Sequence, residues 1–291
     1  MLQSQRDRQR WGVELGHTVG CLVVLFVALA LGVLVTQLAM LVTTVYLHRH
    51  LAHRGVELRP EVRAASRVVL WITTALKPRQ WARVHRQHHA AEDTPNDPHS
   101  PLSFGGGQRG ARYVLLHNGS LYTRATHNER LADKYRDLTA DRWDRWFFDH
   151  GEIGLAIGVA MLCACMALIG HAIVGGWLGT SVGAIAGLLA AGSHAASFLL
   201  AGGAINGFGH ASSTQQPNGG YTRNMPVIAW LTLGEGWHRN HHAAENSPRI
   251  GHRHQLDLGW LAIRGLCALR LAHITARGAA GLQRLQTLLA L

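Results

Sequence analysis

The chain has 291 residues, a formal net charge of +11 and four cysteines, Cys21, Cys163, Cys165 and Cys267. No C-x-x-C pair occurs, which excludes a zinc ribbon, a rubredoxin-type iron site and a thioredoxin motif and leaves the thiols as small buried hydrophobes. An ordinary soluble core is excluded by distribution: no Asp, Glu, Lys or Arg occurs from Ile153 to Thr222, a run longer than two bilayer crossings at about 20 residues each.

Taken in chain order, Arg6, Arg8 and Arg10 precede an uncharged Leu, Val and Ala-rich segment, Val19 to Leu47. It is about twice the length of a signal-peptide core and leads into histidines instead of a small-residue cleavage site, so it reads as a transmembrane span. As a single helix of 29 residues it measures about 43 Å, more than a hydrocarbon core of about 30 Å, and the excess carries His48 past the membrane surface. Next comes Tyr46-Leu-His48-Arg-His50-Leu-Ala-His53. His50 and His53 share a helical face, whereas His48 and His53 stand about 140° apart on an ideal α-helix and suit different metals or a helix end. Spacing alone leaves these pairings open.

Ala64 to Leu76 is short for a crossing and is flanked by Arg63, Arg67, Lys77 and Arg79, so it reads as an interfacial or cytosolic amphipathic helix. Then comes the chain's most informative string, His85-Arg-Gln-His-His-Ala-Ala-Glu-Asp93, which recurs 153 positions later as His238-Arg-Asn-His-His-Ala-Ala-Glu-Asn246. Each copy places three imidazoles at i, i+3 and i+4, on one helical face. Two matching copies point to metal, although imidazole alone suits zinc, copper, iron and nickel. The Ala-Ala-Glu tails match without any role that the sequence supplies.

Between the copies, Ile153 to Ile173 and Val182 to Ala204 read as a transmembrane hairpin with a turn containing Gly175, Gly176 and Gly179. A hairpin returns the chain to the side it left, so both copies reach one membrane face. Asn206 and His210 follow at i and i+4. The stretch from Leu258 to Leu289 reads as a further amphipathic element, with Arg270, Arg277 and Arg284 every seven residues.

The charge fits a membrane better than nucleic acid. Seventeen Lys and Arg lie between His48 and His150, eight from Arg223 onward and none in the turn Val174 to Ser181, which is the positive-inside pattern. The expected architecture is all-α: one membrane domain with spans 19–47, 153–173 and 182–204, an interfacial helix 64–76, and cytosolic segments 48–150 and 205–291. The expected location is a bacterial inner membrane with the histidines on the cytoplasmic face, with lipid and no nucleic acid as partner.

The order H-x4-H, H-x2-H-H, N-x3-H, H-x2-H-H, with a hydrophobic hairpin between the second and third histidine boxes, resembles the integral-membrane fatty acid desaturases, and among them the acyl-CoA Δ9 type. His48 to His53, His85 to His89 with Asp93-Thr-Pro-Asn-Asp-Pro-His99, and Gly234-Glu-Gly-Trp-His238 to His242 carry the resemblance, which spans roughly residues 40 to 250. It implies a di-iron centre held by His48, His53, His85, His88, His89, His210, His238, His241 and His242, with Asn206 reaching metal through water. It selects His48 and His53 over His50. Asp93, Asp97 and His99 match the family's run after the second box, where an orienting role on the imidazoles is expected.

The implied activity is oxygen-dependent desaturation of a fatty acyl chain on acyl-CoA or another acyl carrier, with a lipid hydroxylase on the same di-iron chemistry as the alternative. A membrane metal transporter or sensor is the non-enzymatic alternative, and it predicts ionisable residues along the spans. With no His-Pro-Gly-Gly haem motif and no cysteine-ligated iron site, the expected electron source is a separate ferredoxin-like or cytochrome donor. Two departures stand out. The family's hairpin before the first box is here one long segment, and the loop from Ala211 to Arg223 lacks the family's Gly and Arg pattern.

Overall fold

A computed structural model describes residues 2–216 and 219–288. Pro217, Asn218 and Leu289 lie outside the described residues. The expected all-α architecture is observed. Its helices are α1 Leu2–Val42, α2 Pro60–Thr74, α3 Pro78–Ala90, α4 Gly107–Thr126, α5 Glu129–Lys134, α6 Gly151–Val174, α7 Gly176–Gly209, α8 Pro226–Leu231, α9 His238–Ala243, α10 Leu258–Ala268 and α11 Ala276–Leu288. Two π-helical segments, Thr43–Ala52 and Asp144–Phe148, and an antiparallel strand pair, β1 Val56–Leu58 with β2 Ala272–Ile274, complete them. The chain divides into two compact units. The first holds the chain up to Thr36 and Glu152–Ser197, and the second holds Gln37–Gly151 and the chain from Phe198 onward.

Among the described residues, three helical stretches are long and apolar enough to cross a membrane: Glu14–Ala52, Gly151–Val174 and Gly176–Gly209. In the first unit Val24 and Ala28 pack with Met166, Ala186 and Ala190, while Phe26, Leu34, Leu168 and Ile185 are exposed, the surface expected of helices facing lipid. The hairpin turn is tighter than the expected Val174 to Ser181. It narrows to Gly175 and Gly176, both at positive φ, because only glycine takes that conformation without steric cost. Gly179 instead lies inside α7, where a Cβ would come within 2.3 Å of the Gly170 carbonyl oxygen. With Gly183 and Gly187 it forms a small-residue stripe that lets α6 and α7 approach backbone to backbone. Thr36 Oγ1 lies 3.0 Å from His194 Nδ1, so this intramembrane histidine has a partner within its own unit.

In the second unit Val45, Tyr46 and Leu47 pack with Val56, Leu58, Leu70, Ile263 and Ala272. The helix expected at 64–76 is α2, displaced toward Pro60, which fixes φ at the first helical position. Leu70 is fully buried in the core. Proline also opens α3, whose buried face carries Ala82, Val84, His85 and His88. Arg79 at the start of α3 reaches Asp149 at 2.7 Å and Asp144 at 3.0 Å, and Arg67 on α2 reaches Asp144 at 2.6 Å. The expected continuous element from Leu258 is broken: α10 ends at Ala268, Arg270 takes positive φ, and β2 pairs with β1 before α11 begins. Arg270 therefore belongs to a turn, and only Arg277 and Arg284 share a helix.

Candidate metal centre

The first histidine pair depends on a change of helix type. From Thr43 the chain winds as a π-helix, so backbone bonds link i to i+5, and the His53 amide donates to the His48 carbonyl at 3.0 Å. The 140° separation expected of an α-helix disappears, and the two rings lie 4.9 Å apart. His50 points elsewhere. Its Nδ1 lies 3.0 Å from the Val56 carbonyl and its ring stacks on Tyr46.

Nine imidazoles gather into two sets, His48, His53, His85, His89 and His241 in one and His88, His210, His238 and His242 in the other, with the nitrogens of each within 4.8 Å of one another. All nine histidines of the family pattern are thus brought together. The Nε2 atoms point inward: His53 to His85 and His89 to His241 at 2.8 Å, His48 to His241 at 3.0 Å, His210 to His238 at 2.8 Å and His88 to His242 at 3.3 Å. The sets adjoin through His89 and His242, stacked at 4.2 Å.

Five of the nine outward nitrogens face carboxylates. His48 Nδ1 lies 2.8 Å from Glu235, His88 Nδ1 2.9 Å from Asp97, His210 Nδ1 3.1 Å from Asp93, His242 Nδ1 3.1 Å from Glu92 and His89 Nδ1 3.3 Å from Glu245. A carboxylate at Nδ1 holds the proton there, which leaves Nε2 as a bare lone pair and fixes the ring's direction. The Ala-Ala-Glu tails thereby gain a role, and it is reciprocal. Glu92 of the first copy faces the last histidine of the second, and Glu245 of the second faces the last histidine of the first.

Asp97 also accepts the backbone amides of Asp93 and His99, and Asp93 accepts the Ser100 hydroxyl and the Tyr221 amide. Both expected acidic residues therefore stand behind an imidazole. His99 is buried with its ring 4.2 Å from that of His88. Asn206 lines the same cavity as His48, His85 and His238, and its amide donates to Asn118 Oδ1 at 3.0 Å. Sequence reading missed Glu235, although it stands three residues before His238 in the quoted Gly-Glu-Gly-Trp-His string. It also missed Arg49, 2% exposed, which donates to Asp257 at 2.9 Å and to the Pro248 carbonyl at 2.8 Å beside Glu235.

Burial, reinforced by the neighbouring imidazoles, holds His53, His85, His88, His210, His238, His241 and His242 well below the ordinary histidine range. They are neutral and therefore competent to ligate. Burial alone would raise Glu235, but His48 and Arg49 outweigh it and bring the carboxyl down to about 2. Burial beside Asp93 and Asp97 pushes Glu92 up to about 8, and the positive charge of a metal held by His242 would bring it back toward the carboxylate that faces Nδ1.

Bare lone pairs converging at 2.8–3.3 Å repel one another unless a cation lies among them. Two ligand atoms each about 2.1 Å from one ion and at right angles to each other would stand roughly 3.0 Å apart, the spacing seen within both sets. The donor set is all imidazole, which suits a transition metal and not calcium or magnesium. The residues fit two metal ions.

An apolar cavity of about 140 Å³ opens beside these rings. Its wall includes His48, His85, His99 and His238 together with Leu76, Trp81, Tyr122, Phe198 and Leu199, and the Asn118–Asn206 amide pair. An elongated hydrocarbon fits such a lining, since only a few polar groups interrupt it.

Comparison with known proteins agrees with this chemistry. The fatty acid desaturase family model matches residues 21–277. The chain is 33% identical over 240 residues to a hex-5-enoyl-[acyl-carrier protein] acetylenase of Moorena producens, covering 79% of this chain and 70% of that protein. It is 27% identical over 247 residues to the Delta-9 desaturase-like 4 protein of Arabidopsis thaliana, covering 81% and 72%. With an acyl-CoA 5-desaturase of Anemone leveillei it shares 29% identity over 231 residues, covering 79% and 65%. These matches support an enzyme and lend the transporter and sensor reading no support. With three apolar helices and two histidine clusters beside an apolar cavity, the chain belongs to the fatty acid desaturase family, as a membrane oxidoreductase.

Proposed function

We propose that this protein introduces a double bond into a fatty acyl chain at the expense of dioxygen, using two iron ions. His48, His53, His85, His89 and His241 hold one iron and His88, His210, His238 and His242 the other. The observation that carries the proposal is the convergence of nine Nε2 lone pairs into two sets, five of them backed by carboxylates, on the wall of an apolar cavity. Iron supplies, when bound and reduced, the dioxygen-derived oxidant that an unactivated methylene requires and that no side chain provides.

The chain's own residues do the rest. The cavity wall binds the acyl chain and excludes water from the imidazoles. Glu92, Asp93, Asp97, Glu235 and Glu245 hold the protons on Nδ1. Asn206 donates to Asn118, and its own carbonyl is left to hold a water toward the metal. The acyl group arrives on a carrier, either an acyl-carrier protein, as in the name of the Moorena relative, or coenzyme A, as in the name of the Anemone relative. The basic segments 48–150 and 205–291 face the cytoplasm of a bacterial inner membrane. Electrons come from a separate ferredoxin-like or cytochrome donor.

Expression in a host with analysed lipids tests the reading. The expected products have lost two hydrogens, need dioxygen, and vanish in His241→Ala. Products that gain one oxygen without a new double bond would overturn desaturation in favour of hydroxylation, and full activity in His241→Ala would overturn the ligand assignment.

A further inference from the structure

Four of the five carboxylates behind the imidazoles are shielded, with side-chain exposures of 0% for Asp97, 2% for Asp93, 9% for Glu235 and 13% for Glu92. Glu245 is the outlier at 47%. The imidazole it faces, His89, lines an open groove together with His53, and both belong to the five-histidine set. Arg54, Arg86, Lys134 and Arg277 line the same groove, against only Asp137 and Glu245. Asp137 is spoken for, since Arg86 donates to it at 2.8 Å and Arg54 also binds it. An adjoining groove shares Arg54, Arg86, Asp137 and Arg277 and adds Arg63 with its partner Glu57, 2.9 Å away. Lys134 and Arg277 are therefore surplus cations on exposed ground.

We propose that this groove is the docking face for an acidic one-electron carrier protein, and that electrons enter the centre past Glu245 and His89. The proposal rests on the desaturase reading above, in which each double bond needs two electrons from outside. The carrier is oxidised twice per turnover. Dioxygen is reduced to two waters by those two electrons, two protons from solvent and the two hydrogens, with their electrons, that leave the acyl chain. A basic groove attracts an acidic partner from a distance and orients it, which acts mainly on encounter rate and specificity. A lipid headgroup would satisfy the cations equally well but would have no use for the histidine edge. The combination of surplus cations with His53 and His89, the members of the five-histidine set that line the groove, selects the carrier.

The test uses the iron-loaded full chain in detergent or nanodiscs, with an acidic [2Fe–2S] ferredoxin and a soluble cytochrome b5 domain as probes. The double charge reversal Lys134→Glu with Arg277→Glu is compared with Arg124→Glu with Arg130→Glu, exposed cations outside the groove. Affinity for each carrier is measured directly, and turnover is measured with the carrier and with dithionite as reductant. The groove reversal is expected to weaken carrier binding at least tenfold, to lower the ratio of carrier-driven to dithionite-driven turnover by a similar factor, and to flatten the dependence on salt. The control reversal is expected to move neither. Binding of neither carrier to the wild type, equal weakening by both reversals, or an unchanged ratio would each overturn the docking face. Absence of any double bond with dithionite would instead overturn the desaturase reading, and the binding measurement would still decide the docking face.

Discussion

The first copy of the nine-residue box closes a 13-residue helix, and the second fills a helix of only six residues. Their histidines nevertheless split in mirrored fashion. His85 and His89 join the five-membered set while His88 joins the four, and His238 and His242 join the four while His241 joins the five. The histidines and glutamates that the copies share face the metal sets, and the remaining positions tie each copy to the fold in different ways. At the second position Arg86 donates to the carbonyls of Leu51 and Ala52 and to Asp137, whereas Arg239 is exposed. At the third the roles reverse. Asn240 is 1% exposed and bonds Gln255, the Ile250 carbonyl and Asn224, while Gln87 is only partly buried and bonds Lys134. At the ninth, Asp93 stands behind His210 and Asn246 has no such charge to offer. Even a residue that the copies share, such as the second-position arginine, thus takes different roles once it stands away from the metal sets and their carboxylates.

Removing an imidazole gives the largest effect and tests the mirrored split. His241→Ala and His242→Ala are both expected to lower desaturation by more than about 100-fold, beyond the range typical of losing an outer-shell partner. Their iron contents are expected to differ. His242→Ala leaves three imidazoles in the smaller set and should fall toward one iron per chain, whereas His241→Ala leaves four in each set and should retain more. Equal iron loss by elemental analysis would break the assignment of the two sets.

The crossed glutamates come next. Glu92→Gln and Glu245→Gln are each expected to weaken metal affinity or activity by roughly 10- to 100-fold, with Glu92→Gln at the upper end because its carboxyl is shielded and that of Glu245 is half exposed. Chelator competition measures this. A larger effect from Glu245 than from Glu92 would contradict the ordering by burial.

Anchoring residues act on stability instead. Asn240→Ala strips partners from buried groups and is expected to cost about 1–3 kcal/mol, while Gln87→Ala, whose two contacts, to Lys134 and to the Asn96 carbonyl, are exposed, is expected to stay within about 0.5 kcal/mol. Thermal unfolding of the two variants in detergent reads the difference. Similar midpoints would mean that the second copy is held by other contacts.

The comparison also shows where sequence was readable. Histidine spacing of i, i+3 and i+4 is a backbone property and survived intact in α3 and α9. The hairpin was readable because lipid demands long uncharged helices, but its turn was not. Gly179 signals equally a turn or a close helix contact, and only the Gly170 carbonyl beside it decides. The pairing of His48 with His53 is not legible in the sequence, because 3.6 residues per turn sets the two rings apart and no local residue type announces a π-helix. Glu92 and Glu245 were visible as a repeat, yet their crossed pairing is a tertiary fact. Arg49 stands 186 and 208 positions from Glu235 and Asp257, its partners in a buried network. The break after α10 comes from β1, more than 200 positions upstream.

The smallest effect concerns how the first copy's helix is tied down, and it separates the copies by pH. α3 is held through Arg79 to Asp144, and Asp144 shares Arg67 with Asp141. Arg67 donates to both oxygens of Asp141, and this bond outweighs burial and holds the carboxyl down at about 2. The folded value lies below the unfolded one, about 3.9. The pair therefore contributes its full stability above that value and loses it as pH falls from about 4 toward 2. Asp141 is half exposed, so the contribution is that of a screened surface pair, and Asp141→Asn is expected to lower the unfolding midpoint by about 1–2 °C near neutrality. The gap between variant and wild type should close as the pH is lowered through that window. Protection of α3 amides from hydrogen exchange should decline over the same range while that of α9 does not. A gap that widened in acid would place the tie elsewhere.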